Sequence, residues 1–104
     1  MNKLRIAVPA ERIAAFCRMW NITQFSLFGS VLREDFRPES DIDVLVTFSP
    51  EARSSVFDLI RMKGELEQLF GRNVDLVDRR VIEQSENYLR RRSILDSAEV
   101  LYES

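Results

Sequence analysis

Asp41 and Asp43 stand one residue apart in the run Asp41-Ile42-Asp43-Val44-Leu45-Val46. On a strand their side chains leave the same face, with alpha carbons about 6.6 Å apart at a rise of ~3.3 Å per residue. Two carboxylates so placed repel each other, and strands disfavour aspartate. A divalent cation offsets both penalties. Magnesium or manganese suits such a site, because these hard ions take carboxylate and phosphate oxygens together. Two such ions about 4 Å apart can hold the attacking and leaving oxygens of a phosphoryl displacement. Asp75, in Val74-Asp75-Leu76-Val77, offers a third carboxylate, either to complete the metal set or to take the proton of an attacking hydroxyl. The chain has no histidine, so a carboxylate or solvent must take that proton. Asp78 competes for the role, but three residues further along a regular strand it faces the opposite way.

Gly29-Ser30 supplies the complementary chemistry. It lies between an apolar run, Ile22 to Phe28, and the short helical turn expected over Val31 to Arg33. Glycine lets backbone approach a ligand closely, free N–H groups at a helix start attract phosphate, and the Ser30 hydroxyl adds a donor. Arg33, one turn on, reaches a phosphate or the carboxylates. Taken singly, a Gly-Ser step is more often a helix cap and an Asp-X-Asp a turn. Their conjunction with Asp75 is what points to nucleoside triphosphate and metal.

The elements must then bring these residues together. Pro9 can open a helix in which Ile13, Phe16, Cys17 and Trp20 recur at helical spacing, with Asn21 as its stop. Ile22 to Phe28 reads as a strand with Phe25 and Leu27 on one face. Asp41 to Phe48 reads as a second, with Ile42, Val44 and Val46 on one face. A helix is expected from about Ser54 to Phe70, burying Val56, Leu59, Ile60, Leu66, Leu69 and Phe70 and ending at Gly71. Val74 to Val77 is a third strand, an arginine- and glutamate-rich helix runs from Val81 into the nineties, and Glu99 to Tyr102 can form a fourth strand. Strand, helix, strand makes a crossover, which sets strands two and three parallel. The connection from strand one to strand two is too short for a crossover, so that pair is antiparallel. The expected class is therefore α/β (α+β), a small mixed sheet flanked by helices. The topology places Gly29-Ser30, Asp41/Asp43 and Asp75 at one sheet edge.

Bulk properties narrow the function classes. The 104 residues, 45% hydrophobic, suit one globular domain over residues 1–104 with a small core. Net charge is −2, which argues against a general nucleic-acid binder. Lys3 and Lys63 are the only lysines among 15 basic residues, and arginine's planar fork suits phosphate and carboxylate. The single cysteine, Cys17, excludes an internal disulfide, and the lack of histidine removes Ser/His and Cys/His catalysis and the common zinc sites. No apolar run approaches the ~20 residues of a membrane span and no signal segment is visible, so a cytoplasmic location is expected.

Gly29-Ser30-Val31-Leu32-Arg33 followed by Ser40-Asp41-Ile42-Asp43-Val44-Leu45-Val46 resembles the signature of the polymerase-beta-like nucleotidyltransferase superfamily, and especially its minimal nucleotidyltransferase (MNT) antitoxins. The likeness extends over roughly residues 10 to 102. It implies the polymerase-beta-like nucleotidyltransferase fold. It implies ATP bound with magnesium or manganese, Gly29, Ser30, Arg33 and Ser40 as nucleotide-binding residues, and Asp41, Asp43 and Asp75 as catalytic metal-binding residues. It also implies a HEPN-domain toxin as partner, neutralised by transfer of AMP onto a tyrosine. Leu32 and Glu34 depart from the alanine and glycine that many members carry around the arginine, and Glu34 and Asp35 add negative charge beside the phosphate turn.

Three functions compete at this point. The first is AMP transfer to a hydroxyl of a partner protein; the small size leaves no second domain to hold another acceptor. The second is neutralisation of the partner by docking alone. The third is a subunit acting on RNA through Arg79-Arg80 and Arg90-Arg91-Arg92, although Glu83 and Glu86 balance that face. A homo- or hetero-oligomer is compatible with all three.

Overall fold

A computed structural model describes residues 9–29, 40–52 and 55–104. Eight elements follow in order: α1 (Ala10–Met19), β1 (Ile22–Phe28), β2 (Ile42–Phe48), α2 (Val56–Phe70), β3 (Val74–Asp78), α3 (Arg79–Glu83), α4 (Tyr88–Ser97) and β4 (Glu99–Glu103). The four strands form one mixed sheet in the order β3-β2-β1-β4. β2 runs antiparallel to β1 and parallel to β3, and β4 closes the other side antiparallel to β1. The two pairing directions follow from connection length, as the sequence predicts.

α1 buries Ile13, Phe16 and Cys17, the i, i+3, i+4 stripe of an amphipathic helix. Asn21 turns the chain into β1 at φ 58°, a left-handed conformation that asparagine tolerates better than most residues. One face of the sheet packs Phe25, Leu27, Ile42, Val44 and Val46 against α1 and against Met62 and Leu66 of α2. The other face packs Phe28 and Leu45 against Ile82 of α3 and Ile94 of α4. Helices thus cover both faces.

Two expectations change. α2 starts at a capping box, in which the Ser55 hydroxyl accepts from Asp58 N–H and the Asp58 carboxylate accepts from Ser55 N–H, and it stops at Gly71 in a left-handed conformation. Its buried stripe is Leu59, Met62, Leu66, Leu69 and Phe70. Val56 and Ile60 are 71% and 62% exposed. They lie on the Phe57 side of the helix, about 60° and 100° round from Leu59 and away from Met62 and Leu66, so the predicted stripe is too wide on that side. The arginine-rich segment is also two helices rather than one. Asp78 caps α3 by accepting from Arg80 N–H, and Asn87 opens α4 by accepting from Arg90 N–H. Side chains that compete for backbone N–H groups break a helix at such points.

Cys17 is buried, and desolvation pushes its thiol up to about 12. A raised folded-state value means that stability from this group is complete below its ordinary value near 9 and is lost as pH rises toward 12. We expect a thiol-specific reagent at pH 8 to label the native chain at least a hundredfold more slowly than the denatured chain; equal rates would show the thiol to be accessible. Among the described residues, no helix is long and apolar enough to cross a membrane.

Candidate active site

The register of the sheet sets the site. Phe28 pairs with Asp43 across β1 and β2, and Asp43 pairs with Asp75 across β2 and β3. Adjacent strands lie ~4.8 Å apart, so the two aspartates are lateral neighbours in one row. The row lies where β1 ends and β2 and β3 begin. Directly after Phe28, Gly29 turns at φ 76°, and a Cβ there would overlap the Asp43 carboxylate. Asp43 is half-buried; Asp75 and Asp41 are exposed.

Gly29, Asp43 and Asp75 line a cavity of about 670 Å3 together with Arg90, Ser93 and Ser97 of α4. That volume is in the range of small-molecule sites, roughly 300–1,000 Å3. Asp41 lies one residue ahead of β2 and outside the lining; Ser40 precedes it, half-buried. Ser30 and Arg33 lie outside the described residues. Asp78 accepts from the Arg80 backbone and pairs with its guanidinium at 3.1 Å. It serves as a helix cap away from the cavity, and Asp75 takes the position in the row.

Among the described residues, no three carboxylate, cysteine or histidine groups stand close enough to enclose an ion by themselves. The donor chemistry nonetheless fits magnesium, which characteristically binds through one or two carboxylates plus substrate phosphates and water. Asp43 and Asp75, neighbours in the row, provide two such carboxylates.

The contribution of α4 was not read from the sequence. Arg90, Ser93 and Ser97 follow at i, i+3 and i+7, one helical face. That spacing is present in the sequence, but Arg90-Arg91-Arg92 reads there as a single cluster. In the structure the cluster separates. Arg91 lies over the Tyr88 ring and donates to the carbonyls of Glu83 and Ser85. Arg92 pairs with Asp96 at 3.3 Å, and Arg90 faces the cavity. Arg79 bonds Gln24 and lies near Glu83. Among these residues, Arg79, Arg80, Arg91 and Arg92 thus have partners within the chain.

The nucleotidyltransferase domain model matches residues 11–101, and the chain belongs to that family. A Methanocaldococcus jannaschii protein described as a putative protein adenylyltransferase is 41% identical over 56 residues, covering 54% of this chain and 58% of that protein. The match therefore spans less than two thirds of that relative. A solved structure described as a putative minimal nucleotidyltransferase is 32% identical, with 86% of each chain covered and a TM-score of 0.67. The fold is also shared, at 20% identity and a TM-score of 0.61, with a chain of the Shewanella oneidensis complex of a tri-AMPylated HEPN toxin and an MNT antitoxin; 91% of this chain and 70% of that one are covered.

Proposed function

We propose that the chain is an antitoxin-type protein adenylyltransferase that moves AMP from ATP to a hydroxyl, a tyrosine of a partner HEPN toxin, and so neutralises it. The observation that carries this reading is the Asp43–Asp75 row beside Gly29 at the cavity. The relative's name and the toxin–antitoxin complex that shares the fold support protein as the acceptor. A cytoplasmic location, where ATP and a toxin would be met, belongs to the same proposal.

In this reading the acceptor oxygen attacks the α-phosphorus of ATP. The bond from that phosphorus to the bridging oxygen breaks, and its electron pair leaves with pyrophosphate. Asp41 and Asp43 would hold magnesium or manganese, with Asp75 as third acidic residue; that metal would neutralise phosphate charge and orient the reacting oxygens. Asp75, exposed on the edge strand β3, completes the metal set or accepts the hydroxyl proton in this reading. Gly29, Ser30, Arg33 and Ser40 cradle the phosphates.

The test combines the chain, labelled ATP, magnesium and the product of the adjacent reading frame. Label is expected on the partner and is expected to vanish in Asp41→Ala and Asp43→Ala. Failure to label the partner, together with absence of nucleotide binding by calorimetry, removes the proposal. Neutralisation that survives both substitutions would instead select docking as the mode of action.

A further inference from the structure

α4 breaks a local rule. Its first turn carries Arg90 and Arg91 and no acidic residue, although the N-terminal end of a helix disfavours positive charge. Arg91 is accounted for by the Tyr88 ring and two carbonyls, and Arg92, further along, by Asp96. Among the described residues the Arg90 guanidinium makes no ion pair or hydrogen bond, and it faces the cavity that Asp43 and Asp75 line. Asp96 and Glu99 line the same cavity, so Arg90 is its one cation among the described lining residues. A local violation retained without a structural partner points to a ligand.

We propose that Arg90 is a polyphosphate-binding residue, the contact from α4 to the β- and γ-phosphates of the nucleoside triphosphate. The proposal rests on the nucleotide site described above. A guanidinium binds phosphate oxygens through two parallel charge-assisted N–H donors, which adds strength and fixes geometry. Arg90 lines the same cavity as the carboxylate row, so a triphosphate bound there is within the reach of both its acidic residues and its one described cation. During transfer the negative charge grows on the pyrophosphate as its bond to the α-phosphorus breaks, and Arg90 is placed to stabilise that leaving group. Ser93 and Ser97 continue the same helical face. Ser97 donates to the Ser93 carbonyl at 2.6 Å, which leaves its oxygen able to accept from the nucleotide.

The experiment compares ATP with AMP, which lacks the β- and γ-phosphates. Calorimetry with magnesium is run on the wild-type chain, Arg90→Ala and Arg90→Lys. Arg90→Ala is expected to weaken ATP binding about ten- to a hundredfold, to leave AMP binding within about twofold, and to leave the melting temperature unchanged. Arg90→Lys is expected to recover part of the loss, since it keeps the charge but not the fork. Equal ATP affinity in wild type and Arg90→Ala overturns the proposal, as does an equal loss for ATP and AMP. An unchanged ATP affinity with a raised KM for the protein acceptor would reassign Arg90 to the partner surface. Arg90-dependent ATP binding without AMP transfer would retain this inference and remove the transfer reaction. A wild-type chain that binds no ATP removes both.

Discussion

Asp43→Asn is expected to lower AMP transfer by about a thousandfold or more while moving the melting temperature by no more than a few degrees. Asparagine keeps the shape of aspartate but loses the charge that would hold a cation. Asp43 is also the member of the acidic set most tightly placed. It lies on an interior strand, with Phe28 on one side and Asp75 on the other, and against Gly29. The fold should tolerate the exchange. Asp43 is half-buried, the change conserves volume, and like charges facing each other across strands are mildly destabilising, so relief of the Asp43–Asp75 repulsion offsets lost contacts. Single-turnover transfer of labelled AMP and a thermal melt measure the two quantities. Activity within tenfold of wild type would remove Asp43 from the chemistry, and a collapse of the melting temperature would make its role structural.

The same residues show what the sequence makes legible. β1 and β2 could be read because Phe25/Leu27 and Ile42/Val44/Val46 alternate on a face that is fully buried. That Asp43 and Asp75 share one sheet edge then followed from connection lengths, since a short link and a crossover leave little choice of direction; their pairing in one row needed the register of the sheet. Gly29 was legible as the turn that ends the first strand. Its contact with the Asp43 carboxylate was not, because that contact depends on where the chain passes after Phe28. The second face of the sheet was harder. Ser26, Phe28 and Leu45 are buried there under α3 and α4, and a strand covered on both faces loses its clean alternation. That also obscured Arg90, whose role depends on which side of α4 packs Ile94 into the core. α2 failed for a related reason. Val56 and Ile60 are apolar and helically spaced, but the width of the buried stripe is decided by the sheet it packs on, where Met62 and Leu66 fill the space.

Gly29→Ala provides the sharpest separation of site from fold. Alanine at φ 76° incurs a left-handed backbone penalty of about 1–2 kcal/mol, and its Cβ would overlap the Asp43 carboxylate. The group that must yield is a side-chain end, so the overlap displaces the carboxylate rather than the sheet. Gly71→Ala is the matching control. Gly71 caps α2 at φ 69° and has nothing within 4 Å of an added Cβ. Both substitutions should therefore lower stability by a similar amount, roughly 5–10 °C in melting temperature for a domain of this size. Only Gly29→Ala should also lower AMP transfer, by about a hundredfold, the effect of misplacing a reacting group by ~1 Å. If the two variants lose activity equally, the loss reports general destabilisation. If Gly29→Ala retains wild-type transfer, the Asp43 carboxylate does not need the position that the missing side chain allows. A loss confined to Gly29→Ala would tie the glycine to the placement of that carboxylate.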